Sequence, residues 1–429
     1  MIDMNDEFRA IAPPIKRMEA IAIPEVETLG LPNGAMLHIY NNTDNDFSHI
    51  TVLTPGGQAE SRTPGISALR SMMMREGTAD YSGEEIAAIL DYNGAWIKNA
   101  VHPHHTLTGM FSLNSRLEKV LPAMVSLTMR ADFPEEALKV RRDMLAQNIA
   151  VAMEDVSFIA GCDSDCLIMG DSHPLAAIDT PQSISEITRH DLLRFNDAFT
   201  ATEGMHIFLC GNITPDIRAM ITEAVGALPR RSGKPMLISP FEAAPAGSEE
   251  RKSKPGAAQS SVMLTLPAIG RSHPDYLPLH LTVAALGGYF GSRLMTNIRE
   301  EKGLTYGISA SLMGYIDGAY IQISADTDNR HVDSLIREVR HELRRMASEP
   351  PRGEELERLR QHALSAQATT LDSPLSIIDH YVTAVVSGMP DGYFNARQKT
   401  IEALTSEKLA EMAERYLMVD NLRTAIAGD

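Results

Sequence analysis

The stretches ITRHDLLRFNDAFTATEGMHIFLCGN, residues 187–212, and LTSEKLAEMAERYLMVDNLRTAIAGD, residues 404–429, align without a gap. Ile187, Leu192, Phe199, Met205, Leu209 and Gly211 stand opposite Leu404, Leu409, Tyr416, Leu422, Ile426 and Gly428. In each, a Thr placed as an N-cap opens a run with apolar residues at helical spacing, and a short apolar strand ending in Gly follows. A helix–strand unit that occurs twice predicts an internal duplication of about 200 residues. Strands and helices alternate irregularly within each half, which makes the fold class α+β.

Outward from these stretches, the two halves share one grammar. In the first, LGLPNGAMLHIYNN alternates about an Asn-Gly turn as a strand pair does, and HITVLTPGG is a further strand. GISALRSMMMREGT, residues 65–78, reads as a helix bounded by turn residues. SGEEIAAILDYNG is a second helix, with Ser82 as its N-cap and an acidic first turn. AWIKNAVHPHHTLTGMFS reads as one strand, RLEKVLPAMVSLTM as a helix, and PEEALKVRRDMLAQNIAVAM begins a long helical run. Residues 231–258 are rich in Pro, Gly, Ser and charge and read as a linker. The domains are therefore expected at 1–230 and 259–429. The second half runs from the strand SSVMLTLP through a helix and the hairpin YGISASLMGYIDGAYIQISA to long helices.

Bulk composition sets limits. The chain has 429 residues, 44% of them hydrophobic, ample for two cores, and its 22% charged residues are ordinary for a globular protein. A formal net charge of -17 repels phosphate backbones, which excludes nucleic acid and suits a cationic peptide. Three cysteines provide no disulfide framework, and CDSDC (Cys162, Cys166) lies in a helical stretch without further metal partners. The first 25 residues lack the basic start and apolar core of a signal peptide, and no run suffices to span a membrane. A cytoplasmic location is the expectation, unless a signal was removed.

Three clusters bear on chemistry. His102 and His104 sit two apart in VHPHHT, so on a strand they share a face and offer two metal ligands. Pro103 between them points to an edge or bulge, and with no acidic or thiol partner nearby they read as polar strand surface, together with His105. Met72, Met73 and Met74 read as flexible core fillers. In NIREEKGLTYGI, Arg299 lies in the last turns of a helix that Lys302 and Gly303 close, and Tyr306 opens a strand. A chain folded back there presents a guanidinium fork and a phenol suited to a peptide carbonyl or carboxylate.

With these residues in view, the chain resembles the insulinase-type (M16) metallopeptidases in their short two-domain form. The resemblance runs almost end to end. It covers LPNGAMLHI, GISALRSMMMREGT, HPLAAIDTPQSISEITRHDLLRF through GNIT, and GGYFGSRLMTNIREEKGLTYGISA. It implies two similar α+β rolls closing like a clamshell over a peptide. Active members carry His-x-x-Glu-His on the first helix and a Glu about 76 residues onward; the histidines and the distant Glu hold zinc, and the Glu of the motif polarises water. Aligned by Gly65 and Gly77-Thr78, these positions fall on Ala68, Ser71, Met72 and Asn148. None of the four is suited to its role, so the resemblance implies that no zinc cofactor is bound and that the chain alone does not hydrolyse peptides. Arg299 and Tyr306 match the family's substrate-holding Arg/Tyr pair. The family's substrate-pairing edge strand maps to AWIKNAVHPHHT, with Lys98 and Asn99 where Asn-Ala is usual.

The expected function is that of a non-catalytic subunit, binding peptide for a zinc-bearing M16 partner chain, or acting as a homodimer. The alternative is a stand-alone peptide-binding or scaffold protein. A third reading, an enzyme with a metal relocated to His102 and His104, is tested by metal analysis.

Overall fold

The computed structural model describes residues 21–41 and 45–429. Most of the N-terminal stretch considered above for a signal, residues 1–20, lies outside them, as do residues 42–44. In the first half, β1 (Glu27–Gly30), β2 (Met36–Asn41), β3 (Phe47–Pro55), β4 (Trp96–Val101), β5 (His105–Leu113) and β6 (His206–Gly211) form a sheet ordered β1-β2-β6-β3-β5-β4. In the second, β7 (Glu249–Ser253), β8 (Ser260–Ala268), β9 (Thr305–Gly314), β10 (Ala319–Thr327) and β11 (Arg423–Gly428) are ordered β7-β11-β8-β10-β9.

The duplicated stretches occupy corresponding places. β6 lies between parallel β2 and antiparallel β3; β11 lies between parallel β7 and antiparallel β8. The order β2-β6-β3-β5-β4 therefore repeats as β7-β11-β8-β10-β9, with β1 added to the first sheet.

The helices of the first half are α1 (Ile66–Met73), α2 (Gly83–Tyr92), α3 (Leu117–Met129), α4 (Glu135–Ala152), α5 (Val156–Met169), α6 (Pro181–Ser185), α7 (Arg189–Phe199) and α8 (Pro215–Gly226). Those of the second are α9 (Tyr276–Gly287), α10 (Val332–Ser348), α11 (Gly353–Thr369), α12 (Pro374–Val386), α13 (Tyr393–Glu402) and α14 (Ser406–Tyr416). The Thr signals hold: Thr188 accepts from the Asp191 amide at the start of α7, and Thr405 from the Lys408 amide at the start of α14. Ser82 caps α2 in a reciprocal capping box with Glu85.

Two segments depart from the reading above. AWIKNAVHPHHTLTGMFS is a hairpin rather than one strand, because Pro103 has no amide to donate and the chain turns between β4 and β5. Within the stretch read as linker, Glu249–Ser253 forms β7, the edge strand of the second sheet beside β11.

Each sheet buries one face on its own helices. Leu37, Ile50 and Leu209 pack with Val120, Met124 and Ile221 in the first half; Val262, Leu264 and Ile323 pack with Leu286, Leu335 and Met412 in the second. The other faces are covered by exchange. α5 of the first half lies on β8 and β11, while α12 of the second half lies on β2 and β6. Ile378 and Val382 of α12 are buried with Leu53 and Phe208, each contributing about 2 kcal/mol of apolar burial.

Candidate functional site

The site begins at α1, whose start depends on Gly65. That residue has φ +75°, a conformation that favours glycine, and a Cβ there would also displace Cδ1 of the buried Ile184, 2.0 Å away. From there Ile66, Leu69 and Met73 fall at helical spacing and pack with Phe133, Leu138 and Leu145. Met73 and Met74 are fully buried, as core fillers should be.

Arg70 is also fully buried. Its Nε donates to Oδ1 of Asn196 at 2.9 Å, Nη1 to Oγ1 of Thr106 at 3.1 Å and Nη2 to Oγ1 of Thr200 at 3.2 Å. No carboxylate among the described residues pairs with it. Burial lowers its pKa to about 10, so it remains charged at neutral pH.

Ser71 and Met72 line an open cleft of about 870 Å³, walled further by Glu76, Glu84, Asn99 and Arg141. Ala68 lies in the apolar cluster behind it, beside Leu145 and Ile149 of α4. Asn148 sits between those two residues in sequence and is exposed. The fold thus brings α1 and the Asn148 region of α4 together. A methyl, a hydroxyl, a thioether and an amide are a donor set that does not fit zinc. No group of three or more His, Cys, Asp or Glu among the described residues is placed to hold a metal ion.

Other groups hold the cleft walls. Arg141 of α4 donates from Nε to Oε1 of Glu76 at 2.9 Å, fastening α4 to the end of α1. On the edge strand β4, Asn99 Nδ2 donates to the Ser71 carbonyl at 3.2 Å, while its own Oδ1 is buried without a partner.

The fold also brings Arg299 and Tyr306 together. Arg299 lies in a π-helical segment, Met295–Glu301, followed by Gly303 at φ +61°. The turn sends the chain back along β9, the edge strand of the second sheet. Arg299 Nε donates to the Tyr306 carbonyl at 2.8 Å, and its guanidinium lies 4.9 Å from the centre of the Phe290 ring. Tyr306 is 91% exposed, and among the described residues its hydroxyl is unengaged. The pair lines a separate open cleft of about 620 Å³ with Gln259, Asp328 and His331. A guanidinium anchored through Nε and an exposed phenol on one cleft can grip a peptide carbonyl or carboxylate.

The histidine cluster is unlike a polar strand surface. His104 and His105 are buried, and His102, at the end of β4, is partly so. The His104 ring donates to a carboxylate at each nitrogen, from Nδ1 to Oε1 of Glu60 at 2.9 Å and from Nε2 to Oδ2 of Asp317 at 2.9 Å. Burial alone would lower its pKa, but these two hydrogen bonds and charges raise it to about 9, so the ring is charged at neutral pH. Burial lowers the pKa of His105 to about 4. Sequence reasoning missed this arrangement, because Asp317 lies in the β9–β10 turn of the other half and no local spacing announces it.

Residues 186–362 match the family described as "Peptidase M16 inactive domain". An uncharacterised zinc protease of Mycobacterium leprae is 25% identical over 281 residues, 63% of this chain; the chain thus spans 62% of that relative's length. A protein of Helicobacter pylori named as the non-peptidase homologue YmxG is 21% identical over 393 residues, 89% of each chain. In fold, the chain is similar to the crystal structure titled as the peptidase M16 inactive domain of Pseudomonas fluorescens, with a TM-score of 0.86 and 22% identity over 94% of this chain and 98% of that one. The family match over residues 186–362 runs from the end of the first half into the second, and over the whole chain the two-sheet fold is similar to that of solved M16 structures.

Proposed function

We propose that this chain is a catalytically inactive M16 homologue that helps a zinc-bearing partner chain bind its peptide substrate. One contrast carries the reading: at the positions the resemblance assigns to zinc chemistry stand Ala68, Ser71, Met72 and Asn148, while Arg299, anchored on the Tyr306 carbonyl, and the exposed Tyr306 share their own cleft. A chain that has lost hydrolysis yet keeps a peptide-gripping pair is suited to serve another chain's active site. The exposed edge strands β4 and β9 offer backbone groups for pairing with an extended peptide. The net charge of -17 favours basic peptides. Three free thiols suit a reducing compartment, and a cytoplasmic setting is part of the proposal. Among the described residues, no helix is long and apolar enough to cross a membrane.

The test is peptide cleavage by the purified chain alone and mixed with zinc-bearing M16 chains. The expected result is no cleavage alone, and a rate in one mixture that falls about tenfold with Arg299→Ala or Tyr306→Phe, the loss of one charge-assisted contact. A chain that associates with none of them and adds nothing to their activity overturns the proposal.

A further inference from the structure

A second cavity, of about 580 Å³, lies wholly within the second half, between α9, α11, α12 and α13. Arg271, His280, His380 and Arg397 converge on its wall, with Tyr393 and Phe394 supplying an apolar side. No carboxylate among the described residues pairs with either arginine. Arg271 is held by the Gly314 carbonyl at 2.9 Å, and Arg397 by Oε1 of the buried Gln367 at 2.8 Å. The one carboxylate on the wall, Asp379, is exposed.

Polar atoms are left over at this place. Arg271 Nε, His280 Nδ1 and His380 Nε2 are buried without a partner, and so is the hydroxyl of Tyr276, whose ring lies beside Arg271. His380 is only 7% exposed. Native interiors leave few such atoms unsatisfied, because each has given up its hydrogen bond to water without a replacement. Their gathering around one ligand-sized cavity, beside two guanidinium groups without counter-charge, is the arrangement of a site whose ligand supplies the missing negative charge and acceptors.

We propose that this cavity is an oxyanion-binding site, taking the carboxylate or phosphate group of a small ligand between Arg271, Arg397, His280 and His380. Both imidazoles are neutral in the free protein. Burial, with Arg397 and, for His280, also Arg271 as further causes, lowers each pKa to about 4. An anion placed against them raises those values, so binding takes up protons and tightens as pH falls. The charged and titratable groups facing the cavity are these two histidines and two arginines, Asp379 on α12 and Tyr393 on α13. The site is independent of the peptide-gripping role proposed above.

Calorimetric titration of the full chain with inorganic phosphate, with a short peptide bearing a free C-terminal carboxylate, and with the same peptide amidated tests the site. Saturable binding of the free-acid peptide but not of its amide identifies a carboxylate ligand; saturable binding of phosphate alone identifies a phosphate ligand. Either is expected to weaken about tenfold or more in Arg397→Gln and in Arg271→Gln. Arg397→Lys, which keeps the charge, is expected to retain most of the affinity. In the unmodified chain, the heat of peptide binding is expected to depend on the buffer's ionisation enthalpy, with net proton uptake. The proposal is overturned by absence of saturable binding of all three probes, by binding of the amide equal to that of the acid without phosphate binding, or by unchanged affinity in a folded Arg271→Gln/Arg397→Gln variant.

Discussion

Arg70 is a charge buried where a helix packs on its own core, and its partners show how it is tolerated. Each of the three neutral oxygens that accept from it has another engagement. Thr106 also donates to the Gly56 carbonyl at 2.6 Å, and Thr200 also donates to Asn196 Oδ1 at 2.9 Å. Removing the guanidinium therefore orphans none of these oxygens, while it relieves a desolvated cation that has no carboxylate. Arg70→Met, which fills most of the same volume, is expected to change stability by less than about 1.5 kcal/mol. Arg70→Ala leaves a void and is expected to cost about 2–4 kcal/mol. Chemical denaturation of both variants measures the difference. An Arg70→Met as damaging as Arg70→Ala would show that the hydrogen bonds, and not the filled volume, hold α1 in place. The sequence raised no expectation for this residue, since an Arg at helical spacing reads as solvated surface until the opposite wall is known.

At the scale of elements, local signals were the legible ones. Thr188, Thr405 and Ser82 each mark a helix start through a cap that neighbouring residues complete, and the alternation of β9 and β10 fixes a hairpin within a few residues. Pro103 was read as an edge or bulge when it is a turn, because its missing amide fits either. β7 is hidden in a charged, exposed segment whose pairing with β11 no local pattern records. The position of Asn148 rests on a long-range resemblance; what the structure shows is that α1 and α4 are in contact. This contact supports a prediction on the degenerate motif. Ala68→His, Ser71→Glu, Met72→His and Asn148→Glu together are expected to give a chain that binds about one zinc per molecule, by metal analysis after dialysis, because two histidines four apart share a helix face that meets α4. A folded variant without zinc would show that the helices have moved apart or turned, so that the site is reshaped and not only stripped.

At the scale of the molecule, the two halves are joined by more than a linker. α5 and α12 are exchanged across the sheets, and the exchange is tied by polar contacts. Lys252 of β7 pairs with Asp163 of α5, and the Tyr320 hydroxyl donates to Asp165 at 3.1 Å. The most buried of these ties is His104 between Glu60 of its own half and Asp317 of the other, all three side chains at most 1% exposed. The same carboxylates accept from the connecting segment, Glu60 from the Leu237 amide and Asp317 from the Ser239 amide. His173, also in contact with Asp317 at 3.9 Å, is held by the Ser239 carbonyl. Asp317→Asn leaves His104 paired with Glu60 but replaces the charge-assisted hydrogen bonds to Asp317 by neutral ones, at a cost of about 1.5–3 kcal/mol, so it is expected to lower the melting temperature by about 2–4 °C in a chain of this size. The pH dependence has a definite sign. His104 titrates near 6.5 in the unfolded chain and at about 9 when folded, so its contribution is fully present below pH 6.5 and is lost as pH rises through 9. Burial raises the Cys210 and Cys162 thiols to about 12 and about 11, which also lowers stability in alkali, but does so in both proteins. The stability difference between the unmodified chain and Asp317→Asn, followed by denaturation from pH 6 to pH 10, is therefore expected to shrink as pH rises. A difference that stays constant across that range would mean that His104 is held neutral and that its pairing with Asp317 is not an ionic tie between the halves.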